Sequence, residues 1–454
     1  MEKYKKLFQN KKITVMGLGL LGRGVGDALF LVECGADLTI TDLKPSTALK
    51  PSLEKLRKYK NIKYTLGEHK LEDFRDKDFI LKAAGVPLDS IYIKEAEKNG
   101  IPIEMSAALL AKLACLPVVG VTGTRGKSTV VHIVNHLLVS VGYKVVLGGN
   151  VRGVSNLQLL KKVSKSDIIV LELDSWQLQG FGTSLVSPNI AVFTTFYDDH
   201  MGYYKGDLKQ YFSDKAEIFR HQTEDDIFII GSQVLPYIKK FIGKIKNLPA
   251  QAGNMIIPKE TLPKGWKFKL PGLHNEYNAM LAVEVARTLG IPDTKIKKAL
   301  STFVPVSGRL EFLREVKGIK VYNDNNSTTP EATIAALRAV GDANKRKVVL
   351  IIGGDNKFLD MSGLIKEIPK FCSKVVLFKE RGTDLIREKV FALKKKGIEV
   401  YEEEGLKDTV ARAYSVAKKG ETILYSPAFS SFGKYFSNEY DRGDKFVKLI
   451  KKLK

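Results

Sequence analysis

The chain has 454 residues, 44% of them hydrophobic and 27% charged, with a net charge of +23. That length suits two or three cores rather than one, and no apolar run reaches the roughly 18–20 residues of a membrane-spanning helix. Cys34, Cys115 and Cys372 are scattered without motif spacing, which excludes a disulfide framework or zinc knuckle and fits a reducing cytoplasm.

The opening MEKYKKLFQNKK is basic and runs straight into the strand-like ITVMGLG. It lacks the apolar segment and small-residue cleavage site of a signal peptide. GRGVGDALFLVECG reads as a helix closed by glycine, and ADLTITD, FILKAAG and IPIEMS as further strands. Alternation of this kind predicts a parallel sheet with helices on its faces. Gly17, Gly19, Leu20 and Gly22 lie in GLGLLG after the first strand, and Asp42 ends the second. This has the form of a dinucleotide fingerprint, with phosphate on a helix N-terminus and a carboxylate near a ribose hydroxyl. A nicotinamide cofactor and a UDP-sugar present the same diphosphate and ribose, so the ligand stays open at this point.

A second α/β unit begins near Leu116 with VVGVTGTRGKSTVVHIVNHLL, which reads as strand, turn and helix. Gly123, Thr124, Arg125, Gly126, Lys127 and Ser128 form a shortened P-loop. Its glycines let backbone N–H groups face a phosphate, and the helix N-terminus adds its positive end. Lys127 would reach the outer phosphates, and Ser128 or Thr129 would ligate Mg²⁺. KVVLGGN, DIIVLELD and NIAVFTTF read as strands, with a helix around Leu208–Phe219. Glu172, Asp174 and Gln177 follow one of these strands, and Asp198, Asp199 and His200 another. Residues beyond the carboxyl ends of parallel strands line the ligand crevice.

The third unit follows VPVSGRLEFL, with strands IKVYND, RKVVLIIGG, SKVVLF and ETILYS. Polar, turn-forming stretches end three of them: Tyr322 to Thr329, Gly353 to Lys357, and Ser426-Pro427-Ala428. That is the layout of a crevice for a small polar ligand. The lysines are dispersed with only a modest cluster at the end, so the charge reads as solvated faces, against the alternative of a nucleic-acid partner.

Taken together and in order, these segments resemble the Mur ligase family, essentially over the whole chain. GVTGTRGKST resembles its ATP loop, and GGNVRG, with Asn150, the segment that follows. LELDSWQL resembles the stretch whose glutamate binds Mg²⁺, here Glu172; DDHM would supply His200 on the metal side. YFSDKAEIF resembles the segment of a carbamylated lysine, here Lys215. GLHNEYNAMLA places His274, Asn275 and Asn278 near adenine, and SGRLE places Arg309 at the nucleotide. YNDNNSTTPEAT puts Asp324 at the ribose and Thr328 at an incoming amino acid, joined there by Lys357 of GGDNK and Ser431 of SPAFSSFG.

The resemblance implies three α/β domains: a Rossmann-like UDP-binding domain (1–115), a central P-loop ATPase-type parallel-sheet domain (116–306) and a Rossmann-like C-terminal domain (307–454). It implies a cytoplasmic monomer that uses ATP and two Mg²⁺ sites formed by Ser128, Glu172, His200 and Lys215. The catalytic set would be Lys127, Glu172, His200 and Lys215. The implied partners are UDP-N-acetylmuramoyl-L-alanine and D-glutamate, with no nucleic acid and no membrane insertion. Asn326 stands where a lysine is usual and Gly433 where an aspartate is usual. The alternatives are another ligase of the superfamily with a different amino acid, a nicotinamide-dependent oxidoreductase built on GLGLLG, and a basic nucleic-acid-binding ATPase.

Overall fold

The computed structural model describes residues 1–20, 22–243 and 254–453, so Leu21 of the GLGLLG stretch lies outside the described residues. The chain forms two compact units, Met1–Lys259 with Ala279–Ala299 and Glu260–Asn278 with Leu300–Lys454. Among the described residues no helix is long and apolar enough to cross a membrane.

The first unit carries two parallel sheets. One comprises β1 (Lys12–Met16), β2 (Asp37–Asp42), β3 (Ile62–Leu66), β4 (Phe79–Lys82) and β5 (Ile103–Glu104), in the order β3-β2-β1-β4-β5. The chain winds outward from β1 in one direction and returns on the other side at β4. The crevice at such a reversal is where open α/β sheets bind ligands. The other sheet comprises β6 (Val118–Thr122), β7 (Val145–Gly149), β8 (Ile168–Glu172), β9 (Ile190–Phe193), β10 (Ile227–Ile230) and β11 (Met255–Ile256), in the order β11-β10-β9-β6-β8-β7. β6 and β8 are buried at every residue, as expected of parallel strands covered on both faces. β6 lies between β9 and β8, so the loops after those three strands meet at one edge.

Polar links tie the two sheets of this unit. The buried Asp27, on the helix Arg23–Glu33, accepts from Ser155 Oγ at 2.6 Å and Leu157 N at 3.0 Å. Gly26 is required beside it, because a Cβ there would lie 2.4 Å from Ser155 Cβ.

The second unit has one sheet: β12 (Glu311–Val316), β13 (Ile319–Asn323), β14 (Val348–Ile352), β15 (Cys372–Phe378), β16 (Glu399–Glu403) and β17 (Thr422–Tyr425), in the order β12-β13-β17-β14-β15-β16. All neighbours are parallel except the β12–β13 hairpin. The three polar stretches singled out in the sequence follow β13, β14 and β17, which are adjacent, so the fold gathers them.

At the opposite end of β15, Lys374 Nζ meets Glu421 Oε1 at 2.9 Å, with side chains only 3% and 10% exposed. Removing one partner strands a buried charge. Glu421→Gln should lower stability by about 3 kcal/mol, read as a shifted chemical-denaturation midpoint of the second unit; an unchanged midpoint would show that the pair is solvated.

Candidate functional site

The loop between β6 and the helix Lys127–Ser140 is built for an anion. Gly126 enters that helix in a left-handed conformation, φ 88°, which favours glycine. Gly123 is needed for close approach, since a Cβ there would sit 2.0 Å from Thr194 Oγ1. The loop is braced on the residues after β9: Thr124 N donates to Thr195 O at 2.7 Å, and Arg125 N to Thr195 Oγ1 at 3.0 Å. Lys127 Nζ turns back on its own loop, donating to Gly123 O at 2.8 Å and Thr124 O at 3.4 Å.

Lys215 comes to the same point from the helix Leu208–Arg220. It is buried, and its Nζ donates to Gly123 O at 3.1 Å. Burial first, and the charge of Lys127 second, hold its ammonium well below the usual lysine range. Neighbouring Asp214 is fixed by Gln179, Tyr204 and Gln210, with donor distances of 2.7, 2.9 and 2.7 Å. The sequence reading missed Asp214 because its role depends on these three partners from two helices and a loop.

Glu172 ends β8 and is buried, with Asn150 Nδ2 at 3.5 Å. Arg23 donates to Asn150 Oδ1 at 2.6 Å and to its carbonyl at 3.2 Å. Asn150 thus links the GLGLLG helix to the carboxylate beside the P-loop. Arg125 pairs with Asp199 at 2.9 Å, and Asp199 Oδ1 accepts from His200 N. The His200 ring packs on Trp176, centroids 4.7 Å apart, and Trp176 packs on Tyr203 at 5.3 Å. Among the described residues no three His, Cys, Asp or Glu side chains close on one point. The hard oxygen donors Glu172 and Ser128 fit Mg²⁺ all the same, because that ion takes few protein ligands and completes its shell with water and phosphate.

In the first sheet, Asp42 accepts from Gly19 N at 3.0 Å and Lys44 N at 2.9 Å. The carboxylate therefore shapes the glycine loop. Gly22 starts the following helix with φ 84°, as Gly126 does after β6. Leu20 is exposed at the loop tip.

In the second unit a cavity of about 210 Å³ brings together Thr328, Lys357 and Ser431. Lys357 Nζ donates to Thr328 Oγ1 at 3.0 Å. Arg309 and Asn326 border the same cavity, as do Glu439 and Tyr440, which the sequence reading did not single out. Asp324 is buried behind it and accepts from Ser327 Oγ at 2.5 Å, Ser426 Oγ at 2.8 Å and Leu310 N at 3.0 Å. Burial pushes its carboxyl up to about 6. The fully buried Arg442 donates to Asn325 Oδ1 at 2.7 Å, Asn325 O at 2.8 Å and Ser430 O at 3.1 Å, tying two of the cavity loops to the last helix. Gly433 has a physical reason: a Cβ there would lie 1.9 Å from Glu380 Oε1, which accepts from Lys434 N at 2.7 Å. Asn275 and Asn278 are buried at the start of the helix Leu273–Thr288, and His274 beside them is exposed.

Three family descriptions match the chain: the Mur ligase MurD-like N-terminal domain over 11–104, the Mur ligase middle domain over 121–252, and the Mur ligase glutamate ligase domain over 308–429. A UDP-N-acetylmuramoylalanine–D-glutamate ligase of Borreliella burgdorferi (strain ZS7) is 33% identical, covering 98% of both chains. One of Roseiflexus sp. (strain RS-1) is 32% identical over 97% of this chain and 98% of its own. Among solved structures, the UDP-N-acetylmuramate-alanine ligase MurC of Thermotoga maritima shares the fold with TM-score 0.61 at 19% identity, covering 98% of this chain and 100% of its own. A Mycobacterium tuberculosis folylpolyglutamate synthase complexed with ADP does so with TM-score 0.59 at 15% identity, over 76% and 93%.

The Asp324 geometry has a pH consequence. An unfolded aspartate ionises near 3.8 and this one near 6, so the native state holds the extra proton between those values. Stability should therefore fall as pH rises from about 4 to about 6, by roughly 2–3 kcal/mol from this group. In a Trp176→Phe background, Trp266 emission reports unfolding of the second unit. Adding Asp324→Asn should flatten the pH slope, and an unaltered slope would count against the assignment.

Proposed function

The chain belongs to the Mur ligase family, and from that premise we propose that it joins D-glutamate to UDP-N-acetylmuramoyl-L-alanine with conversion of ATP to ADP and phosphate. The observation that carries the ATP half is the convergence of Lys127 and Lys215 on Gly123 O in a glycine loop flanked by Glu172. The cavity joining Thr328, Lys357 and Ser431 supports the amino-acid half. We assign 1–115 to the UDP-linked substrate, 116–306 to ATP and 307–454 to the amino acid.

An amide forms from a carboxylate only when its oxygen becomes a good leaving group. The alanyl carboxylate attacks the γ-phosphorus of ATP, giving an acyl phosphate and ADP. The amine of glutamate then attacks the acyl carbon, phosphate leaves, and the amine loses its proton. The first step brings two anions together, so the protein's work is positioning and charge neutralisation. Lys127 and the loop amides hold the β- and γ-phosphates. Asp42 keeps the Gly17–Gly22 loop shaped for the diphosphate. His274, Asn275, Asn278, Arg309 and Asp324 serve the nucleotide, and Thr328, Lys357 and Ser431 the glutamate carboxylates. One Mg²⁺ held by Ser128 and Glu172, and a second held by His200 and a carbamylated Lys215, would neutralise phosphate charge.

Lys215 suits carbamylation. An amine adds CO₂ only in its neutral form, giving the carbamate and releasing a proton, and burial favours that neutral form here. The product is an anion next to Lys127. On this reading the protein works in the cytoplasm as a monomer, on nucleotide and amino-acid substrates and without nucleic acid. A second reading, a different amino acid, has Asn326 and Glu439 at the cavity behind it.

The deciding assay is phosphate release from ATP with UDP-N-acetylmuramoyl-L-alanine, adding D-glutamate, L-glutamate, D-lysine and glycine singly. Release should depend on D-glutamate. Release with another amino acid would keep the ligase and change its specificity, and none with any would overturn the acceptor. Lys127→Ala should cost roughly 10²-fold or more in turnover, on the scale of other lost charge-stabilising donors. Asp42→Ala should raise KM for the UDP-substrate and leave that for ATP nearly unchanged. Equal effects on both constants would sink the division of labour between the two glycine loops.

A further inference from the structure

Lys82 has no role in the reaction as described, yet it is the last residue of β4 and only 2% exposed. Burying an ammonium is costly unless its donors are satisfied. Its Nζ donates to Val86 O at 2.7 Å and Ala83 O at 3.3 Å, with Ala84 O at 3.5 Å. The side chain thus folds over the turn that follows its own strand and holds three carbonyls inward. Ala83 O also accepts from Val86 N at 3.1 Å, so an apolar side chain would take the lysine donor from all three carbonyls and leave Ala84 O and Val86 O without that partner.

The turn is braced on both sides. Ala83 N donates to Met16 O at 2.9 Å, and Ala83 Cβ lies 2.8 Å from where a Cβ on Gly17 would be, so the turn sits directly against the glycine loop. Further along, Asp89 pairs with Lys205, two residues beyond Tyr203, at 2.8 Å. Tyr203 packs edge-on against Trp176, whose ring packs at a tilt against His200.

We propose that Lys82 is a positioning residue for the UDP-linked substrate: its buried ammonium shapes the 83–89 segment, which braces the glycine loop on one side and the Tyr203–His200 segment on the other. This rests on the reading of the glycine loop as the UDP-substrate site. The charged groups that face it are Asp174, at the start of the helix after β8, and Asp214, on the helix Leu208–Arg220. Burial outweighs them and lowers the Lys82 ammonium to about 8. Above that pH the side chain keeps two N–H donors and loses its charge, and its hold on the three carbonyls weakens.

The test uses full-length protein and Lys82→Met. Hydrogen exchange without ligand should be faster in the variant over three segments: the glycine loop, 83–89 and 200–205. Calorimetric affinity for UDP-N-acetylmuramoyl-L-alanine should fall about tenfold, or about 1.4 kcal/mol, with ATP affinity within about twofold. A merely structural lysine would not alter the pH response. Wild-type affinity for the UDP-substrate should weaken between about pH 7 and about pH 9, and the variant should lack that limb. Faster exchange confined to 83–86, or unchanged affinity, overturns the proposal. If the wild type does not bind the UDP-substrate, the functional reading has failed, and the exchange pattern alone then decides the role of Lys82. If the variant does not fold, wild-type exchange at the two pH values decides it, and loosening of all three segments at the higher pH is the expected result.

Discussion

Two lysine side chains donate to one carbonyl oxygen, that of Gly123, at 2.8 and 3.1 Å. Much of the first unit's active edge follows from that crowding. The nitrogens of Lys127 and Lys215 are no more than about 6 Å apart, and two ammonium charges at that separation repel by about 3 kcal/mol at an effective dielectric of about 20. Arg125 adds a third cation nearby and is answered by Asp199. The balance is met in two ways: Lys215, the more buried, is pushed toward its neutral form, and Lys127 stays half-exposed. The site is left short of negative charge. A bound phosphate group would supply it at Lys127, and a carbamate would supply it at Lys215, reversing that side chain's sign.

Within each unit, loops at the strand ends are held by carboxylates already engaged with the protein. Asp42 fixes the glycine loop after β1 through Gly19 N and Lys44 N. Asp324 fixes the loop after β13 through Leu310 N, Ser327 and Ser426. Asp27 ties the helix after the first glycine loop to Ser155 and Leu157. For Asp27 and Asp324, burial raises the carboxyl to about 6, so each loop is held at a cost in stability near neutral pH. That cost suits sites that must be shaped before a highly charged ligand arrives, because a preformed donor array need not reorganise when the ligand binds.

How much of this the sequence carries depends on range. Continuous apolar runs mark central strands such as β6, β8 and β14, because a strand covered on both faces needs no polar alternation. The edge strands are harder. β11 has two residues, EVYEE of β16 is half polar, and β12 is antiparallel, which nothing in EFLREV distinguishes from a parallel strand. The P-loop, Glu172 and the strand-end clusters are legible because their residue types and local spacing carry the chemistry. Arg442, Asp214 and Lys82 are not, since each owes its role to carbonyls or side chains from turns and helices that only the folded chain brings to it.

Position 433 shows how a local departure becomes intelligible once the fold is known. An aspartate is usual in the family there, and a glycine in its place looks like the loss of a carboxylate. In the fold the carboxylate of Glu380, from the turn after β15, fills that space and takes the backbone N–H of Lys434. Glycine at 433 leaves room for Glu380 in this position; a Cβ there would displace the carboxylate from Lys434 N. The loop so held carries Ser431 into the cavity, and Arg442 grips the same loop from the other side through Phe429 O and Ser430 O. A carboxylate supplied from one turn and a guanidinium from the last helix thus fix a segment that has little regular structure of its own. The departure moves the source of the negative charge to Glu380, whose carboxylate takes Lys434 N beside the loop that carries Ser431 to the cavity.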